Sequence, residues 1–240
     1  MKNILCVLIL TVMTSSLAMA QSSVDSQLLE NCKKELADIS SKKVAIHDIV
    51  FNTDGHWLIL YGDIGYSYSY IPSPLENMLA KLNADGTSID KALLLSDSSF
   101  ALIYGGKQYT SQSLPSELAT DLDAVAKKGK NIKSVAYKNN SRLTIYGSNG
   151  FIARGLPKKM VAKLAQLNQK KVSIRESAFY GTDGWVLLYG RNGIAFQGIP
   201  NDLCKILQNF AQKGTVVNLV RFFGDKWVVV YDGYKVESNI

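Results

Sequence analysis

The chain has 240 residues, 47% of them hydrophobic, and a formal net charge of +7. This length suits one large domain or two small ones. After the N-terminal segment no stretch approaches the roughly 20 consecutive apolar residues of a transmembrane helix, and three cysteines are too few for a disulfide framework, so the sequence excludes both classes for the mature chain.

The first twenty residues have the pattern of a signal peptide. A short basic start precedes the apolar run ILCVLILTVM, and Ala18-Met19-Ala20 forms a small-x-small cleavage site. We therefore expect a mature chain of residues 21–240 that is exported, either to the periplasm or out of the cell.

The mature chain keeps two cysteines, Cys32 and Cys204, because Cys6 leaves with the signal peptide. In an oxidising export compartment the two could form one disulfide. Alternatively both could remain free thiols, since Cys32 lies at an apolar position of a predicted helix, where a thiol packs as a small apolar group. The sequence leaves both alternatives open.

A tyrosine recurs along the mature chain with spacings of 43, 42, 43 and 42 residues. In the first four copies an Ile-Pro or Leu-Pro pair follows ten residues later. Tandem repeats of this length are typical of an array or a ring of similar units. The tyrosines are Tyr61, Tyr104, Tyr146, Tyr189 and Tyr231, and the residues four positions before them are Trp57, Phe100, Arg142, Trp185 and Trp227.

Each repeat predicts three strands followed by a helix. A first strand rich in β-branched and aromatic residues leads to a nearly all-apolar second strand such as WVLLY, which is typical of a strand covered on both faces. A turn with Gly or Asn leads to a more polar third strand, and the proline then lies in the first helical turn. Apolar residues three, seven and ten positions after the proline form one helical stripe, which we expect to be core together with the tryptophan column.

The last repeat stops after its third strand, where its helix should follow. The segment QLLENCKKELADIS near the start has the same helical pattern, with Cys32, Leu36 and Ile39 in the apolar columns. We therefore predict an α+β fold, a closed five-fold α/β-propeller-like ring of five αβββ repeats, in which the N-terminal helix completes the C-terminal unit. The single domain 21–240 divides into units of about 21–72, 73–115, 116–157, 158–200 and 201–240.

This architecture resembles the five-fold α/β-propeller of the pentein type, and the wording W-V-L-L-Y-G-R-N-G followed by I-P resembles repeats of uncharacterised exported bacterial proteins. For pentein enzymes the resemblance implies a cysteine nucleophile, a histidine and acidic residues at one end of the ring axis. The chain departs from that pattern, because His47 and His56 are its only histidines and both mature cysteines lie in predicted helices. We therefore favour a non-enzymatic protein without metal or cofactor, and keep a divergent pentein-like hydrolase as an alternative.

When the repeats are aligned, two columns of equivalent positions are polar in every repeat, although their neighbours in sequence are apolar. In a closed ring each column would come together as a polar belt, and a belt near the axis would line a pocket; alternatively these residues only face solvent. The first belt consists of His47, Asp90, Lys133, Arg175 and Asn218. The second belt consists of Ser69, Gln112, Arg154, Gln197 and Asn239.

Positive charge is concentrated in one part of the chain. From Lys127 to Arg175 there are 13 Lys or Arg residues and no Asp or Glu, whereas residues 54–126 contain nine acidic and three basic residues. Such a basic sector attracts polyanions, although a solvated face would have the same composition. The basic sector consists of Lys127, Lys128, Lys130, Lys158, Lys159, Lys163, Lys170 and Lys171.

The leading hypothesis is an exported, non-enzymatic binding module whose basic sector contacts an anionic partner: a lipid head group, an acidic glycan or an acidic protein surface. The first alternative is a small-ligand or carbohydrate binder that uses a polar belt at the ring axis, and the second is the divergent hydrolase. We do not expect a nucleic-acid partner, because the chain has no RNA-binding or DNA-binding motif. The oligomeric state stays open.

Overall fold

The computed structural model describes residues 26–96 and 98–240, so the predicted signal peptide lies outside the described residues. The described part contains five helices and fifteen strands in a regular order. The elements are α1 (26–41), β1 (Ile46–Phe51), β2 (Trp57–Tyr61), β3 (Gly65–Tyr68), α2 (Ser73–Ala84), β4 (Ile89–Ser96), β5 (Ser99–Tyr104), β6 (Gln108–Gln112), α3 (Ser116–Lys127), β7 (Ile132–Lys138), β8 (Ser141–Tyr146), β9 (Gly150–Arg154), α4 (Lys158–Gln169), β10 (Ile174–Tyr180), β11 (Gly184–Tyr189), β12 (Gly193–Gln197), α5 (Asn201–Lys213), β13 (Val217–Phe223), β14 (Lys226–Tyr231) and β15 (Lys235–Ser238).

The strands form five antiparallel sheets of three, each in sequence order, which confirms an α+β fold of repeated αβββ units. We call β1, β4, β7, β10 and β13 the first strands of their sheets. The second strands are buried along nearly their whole length, as the apolar run in β11 illustrates. A strand buried on both faces needs this composition because neither face meets water.

Helices α2 to α5 each begin immediately after a proline, which lies at the cap and not in the first helical turn as predicted. Pro72, for example, precedes α2 with φ −58° and ψ 139°. This extended ψ places the proline at the cap, where its missing N–H leaves no donor unsatisfied. At the other end of α5, Gly214 takes the left-handed conformation with φ 69°, which glycine adopts without steric cost.

Five separate hydrophobic cores hold the units together, and each consists of one helix between two sheets. Helix α5, for example, packs Leu203 and Leu207 between residues of the fourth sheet and residues of the fifth. Helix α1 occupies the same place between the last sheet and the first, since Cys32 and Leu36 share a core with Ile59 and Val230. The predicted helical stripes are buried in these cores.

Equivalent backbone hydrogen bonds link one unit to the next. The amide of Ile89 donates to Asp63 O at 3.1 Å, and the amide of Ile132 donates to Gly106 O at 3.0 Å. The corresponding bond between the first and last sheets runs from Ile46 N to Gly233 O at 2.9 Å. Each first strand also contacts the next first strand along the chain, and β13 contacts β1.

The recurrent aromatic residues have packing roles. Trp57, Trp185 and Trp227 are buried, as expected for the tryptophan column. The ring of Tyr189 covers the glycine four positions later, so that a Cβ at Gly193 would lie 2.3 Å from it. This contact explains why the repeat pairs a tyrosine with a glycine across the turn. Among the described residues no helix is both long and apolar enough to span a membrane.

Candidate functional site

The first belt occupies a β-bulge in every sheet. The register between first and second strands shifts between Ile46 and Asp48, and the residue left out of the pairing is His47. The same irregularity recurs in the other four sheets at the equivalent belt residue. A bulge turns the extra residue away from the regular alternation of the strand. This explains a polar residue between apolar neighbours.

The five bulged residues line one cavity at the start of the first strands, which we call the belt cavity. Its volume is about 500 Å³. The structure therefore brings all members of the first belt together. They are His47, Asp90, Lys133, Arg175 and Asn218.

Two belt residues are fixed by backbone amides of their own unit. Asp90 Oδ2 accepts a hydrogen bond from Gly106 N at 2.6 Å, and Asn218 Oδ1 accepts one from Gly233 N at 2.7 Å. These bonds tie the bulge to the turn between second and third strands. One carboxylate oxygen of Asp90 thereby bonds to the scaffold.

The two belt cations, Lys133 and Arg175, belong to the third and fourth units, and each donates a hydrogen bond to the unit that follows it. Lys133 Nζ donates to Ser173 Oγ at 3.0 Å, and Arg175 Nη1 donates to Val217 O at 2.9 Å. Neither side chain forms a salt bridge with any residue in the described ranges. Arg175 Nε and Nη2 are buried and have no hydrogen-bond partner within the described chain.

Burial shifts the ionisation of both cations. Desolvation lowers the pKa of Lys133, and the nearby charge of Arg175 lowers it further. Desolvation also lowers the pKa of Arg175, although Glu176 acts in the opposite direction. Both shifts mean that positive charge at this place is incompletely compensated, because a paired cation would have its charged form stabilised.

A buried ion network fills the space beneath the belt cavity. Lys91 Nζ lies 2.7 Å from Glu176 Oε2, and Arg221 Nη2 lies 2.5 Å from Asp48 Oδ1 and 3.3 Å from Glu176 Oε2. Ser134 Oγ donates a further hydrogen bond to Glu176. Two carboxylates and two cations make this network neutral in total. We call these four charged residues the axial network.

The axial network keeps Glu176 and Arg221 ionised. Burial opposes the charge of Glu176, but Arg221 and Lys91 outweigh it and lower the pKa of Glu176 to about 2. Burial likewise opposes the charge of Arg221, and Asp48 and Glu176 outweigh it, so the pKa of Arg221 is raised. Sequence analysis missed this network. The available signal was that Asp48, Lys91 and Glu176 each follow a belt residue inside an otherwise apolar strand.

A second cavity of about 190 Å³ lies at the opposite end of the first strands, and we call it the aromatic cavity. Phe51, Tyr137, Phe179 and Phe222 contribute its aromatic lining. The guanidinium-bearing side chain of Arg221 borders it as well. The axial network thus lies between two cavities of different chemistry.

The basic sector is divided between two ends of the molecule. Lys127, Lys128 and Lys130 follow or end α3, and Lys170 and Lys171 follow α4, so these five lie at the end where the first strands begin. Lys158 and Lys159 begin α4, about 18 Å away along a helix of 12 residues. Lys163 lies between them, with Nζ 4.5 Å from the centre of the Tyr189 ring.

An open cavity of about 640 Å³ adjoins the belt cavity and extends its positive charge. Lys107, Lys130 and Lys133 line it, and Lys133 and Asn131 belong to both cavities. Lys107 was not part of the predicted basic sector. The cations at this end therefore surround the belt cavity instead of forming a patch along α4.

The second belt stays apart from both cavities. Its residues end or follow the third strands, and two of them bond to the neighbouring second strand. Ser69 Oγ accepts from Trp57 N at 3.0 Å, and Asn239 Oδ1 accepts from Trp227 N at 2.6 Å. Gln112 donates to Ser98 O at 3.4 Å, Arg154 donates to Ala153 O at 3.2 Å, and Gln197 Oε1 has no partner among the described residues.

The cysteines are both free thiols. Cys32 lies on the buried face of α1, and desolvation, assisted by Glu35, raises its pKa to about 12. Desolvation also raises the pKa of Cys204, with a contribution from Asp202. Thiols with raised pKa values carry little of the reactive thiolate form. In the described part of the chain no group of three or more His, Cys, Asp or Glu side chains could hold a metal ion.

No protein-family model matches this chain, and no curated protein matches it.

Proposed function

We propose that the protein is an exported, non-enzymatic binding module that takes an anionic group of its ligand into the belt cavity. The five units form a closed, propeller-like ring in this proposal, and the belt cavity lies at one end of the ring axis. The ligand group is a carboxylate, phosphate or sulfate, because these match the guanidinium and ammonium donors that line the cavity.

The ring part of the proposal is supported by the junction between the last unit and the first. The hydrogen bond from Ile46 N to Gly233 O repeats the bonds that join consecutive units elsewhere. Arg221 of the last unit also binds Asp48 of the first, through Nη2 at 2.5 Å. Helix α1 adds the core that the fifth unit would otherwise lack.

The anion site is supported chiefly by Arg175, whose Nε and Nη2 are buried without a partner at a cavity wall. Buried donors are almost always satisfied, by protein, water or ligand. The nearby carboxylates are already engaged, Asp90 by Gly106 N and Glu176 by Lys91 and Arg221. An incoming anion would meet the unused donors of Arg175 and the ammonium of Lys133.

The surrounding lysines favour a ligand that carries more than one negative charge. Lys107 and Lys130 border the adjoining cavity, and Lys127 and Lys128 lie nearby at the end of α3. Exposed charges of this kind raise the association rate more than they raise the affinity. The buried cations of the belt cavity would then determine affinity, and the exposed lysines would attract the ligand.

The non-enzymatic part of the proposal is supported by the positions of the thiols. Cys32 lies in the core under α1, and Cys204 lies on α5, so neither lines the belt cavity or the aromatic cavity. His47 lines the belt cavity without a thiol beside it, whereas nucleophilic catalysis requires both groups within hydrogen-bond reach.

Calorimetric titration of the mature protein with inorganic phosphate and with tripolyphosphate tests the proposal. Arg175→Gln should weaken tripolyphosphate binding by about ten- to a hundredfold, the value of a charge-assisted hydrogen bond. Lys158→Gln is the matched control, since it removes the same charge at the far end of α4 and should change affinity less than twofold. Equal losses in both variants would reduce the effect to net charge, and absence of saturable binding by the unsubstituted protein would refute the anion site.

A further inference from the structure

The aromatic cavity has the properties of a ligand site of its own. Its volume of about 190 Å³ is slightly larger than that of an apolar cavity of about 150 Å³ that binds benzene. The side chains of Phe51, Tyr137 and Phe179 provide flat surfaces for an aromatic ring, and Ala136 and Ala178 leave room between them. A molecule with one six-membered ring therefore matches both the volume and the lining.

Arg221 offers a polar contact at the floor of the cavity. Arg221 Nε donates to Asp48 Oδ1 and Ile49 O, Nη1 donates to Val220 O, and Nη2 faces Asp48 and Glu176. A guanidinium has five N–H groups, and these contacts leave one N–H of Nη1 unused. The side chain keeps 14% exposure and borders the cavity. A ligand with a single hydrogen-bond acceptor would satisfy that donor.

The charge balance of the cavity floor favours a neutral ligand. Asp48 and Glu176 match the charges of Lys91 and Arg221, so the floor carries no net charge for an ion to neutralise. Lys138 is the one charged residue besides Arg221 among those that line the cavity, and it follows Tyr137 at the end of β7. Burial of an ion costs several kcal/mol unless it is paired, whereas a neutral ring gains from burial.

We infer that the aromatic cavity binds a neutral one-ring organic molecule with one hydrogen-bond acceptor, of the size of phenol or benzyl alcohol. The acceptor contacts Arg221 Nη1, and the ring packs among the aromatic side chains. Because the axial network separates the two cavities, this site is independent of the anion site, and neither proposal requires the other. The protein would thus hold two ligands of different classes, one at each end of its first strands.

Calorimetric titration of the full mature protein with phenol, benzyl alcohol and benzoate tests this inference. Ala178→Leu fills the cavity and should lower the affinity for phenol at least tenfold, and Ala136→Val should lower it by a smaller factor. Ala162→Leu adds the same volume on the exposed face of α4 and should leave the affinity unchanged. Thermal melts of each variant identify any that has lost its fold, in which case Ala136→Val carries the test.

Two further readouts separate this site from the belt cavity. Phenol affinity should change less than twofold between 20 mM and 300 mM salt, since the contacts are apolar, and saturation with tripolyphosphate should leave it unchanged. Benzoate should bind at least tenfold more weakly than phenol. Equal binding of phenol by Ala178→Leu and the parent protein would overturn the inference, as would a lack of saturable phenol binding or a preference for benzoate.

Discussion

The two ends of the first strands differ in chemistry although the same five strands build both. At the start of the strands, bulged residues supply unpaired cations and the belt cavity is open and polar. Four residues further along, equivalent positions supply aromatic rings such as Phe51 and Phe179, and the cavity is smaller. The repeat specifies the scaffold equally in all units. The belt positions and the positions four residues later differ among the units, and this variation gives each end its chemistry.

The axial network separates the two ends of the first strands. It places four charged side chains between the belt cavity and the aromatic cavity. Such a buried network is costly to form and is tolerated because every carboxylate is paired and hydrogen bonded. Helix α1 supports both ends, the axial network separates them, and the lysines at each end of α4 belong to one end alone.

Removal of α1 should have the largest effect, because this helix supports both ends at once. Deletion of residues 21–41 removes the helix that fills the core between the last sheet and the first. We expect loss of the cooperative thermal transition, and loss of phosphate and phenol binding together. Leu36→Ala, which keeps the helix, should lower the free energy of unfolding by about 2–5 kcal/mol. A truncated protein that melts at the parent temperature would contradict the ring.

Asp48→Asn should have the next largest effect, since it breaks the separation between the ends. Asp48 Oδ1 accepts from Arg221, and Oδ2 accepts from Ala92 N at 3.1 Å. The substitution leaves the buried guanidinium undercompensated, which should lower the free energy of unfolding by about 3–5 kcal/mol in urea titrations. Asp38→Asn, in an exposed ion pair with Lys42, is the control and should leave the transition unchanged. Equal stability of the two variants would show that the network contributes nothing.

The sequence predicted the scaffold better than the sites, for a physical reason. Column periodicity reports which residues are buried in every unit, so the helical stripes and the apolar strands were predictable. The axial network depends on pairing between units, as between Lys91 and Glu176, which are 85 residues apart. Both follow a belt residue, but this position is not charged in every unit, so the repeat alignment does not show which charges pair. The first belt was visible as a polar column, but its bulge and its position at a cavity required the strand pairing.

The second belt and the basic sector show the limit of column and charge patterns. Ser69 is polar because it caps a strand pair through Trp57 N, and not because it faces a pocket. Lys158 and Lys171 share a charge-rich segment, yet a whole helix separates them. Linear proximity in sequence does not determine which end of an element a charge occupies. The direction of each helix relative to the first strands determines which end of the molecule each lysine occupies.

The acid stability of the protein should depend in part on the axial network. The pKa of Glu176 is lowered in the folded state to about 2, whereas an unfolded glutamate titrates near about 4.3. A lowered folded pKa contributes stability that is fully present above the unfolded value and is lost as the pH falls toward the folded one. The free energy of unfolding should therefore decrease between about pH 4.5 and pH 2. Glu176→Gln should flatten this part of the profile; an unchanged slope in that variant would contradict the assignment.

The smallest expected effect belongs to the start of α4, which lies at the end of the aromatic cavity and away from the belt cavity. Lys158 and Lys159 occupy the first turn of a helix that has no acidic residue there, and both are exposed. Their charges oppose the helix dipole, at a cost of at most about 0.3–1 kcal/mol each. The double variant Lys158→Gln/Lys159→Gln should therefore unfold at a slightly higher urea concentration, and its tripolyphosphate affinity should remain within twofold of the parent.

Lys170→Gln/Lys171→Gln is the matched pair beyond the other end of the same helix, where positive charge favours the dipole. It should unfold slightly earlier and bind tripolyphosphate more slowly. The same charge change would then have opposite effects at the two ends of one helix, which net charge alone cannot produce, and identical behaviour of the two pairs would argue against any distinction between the ends.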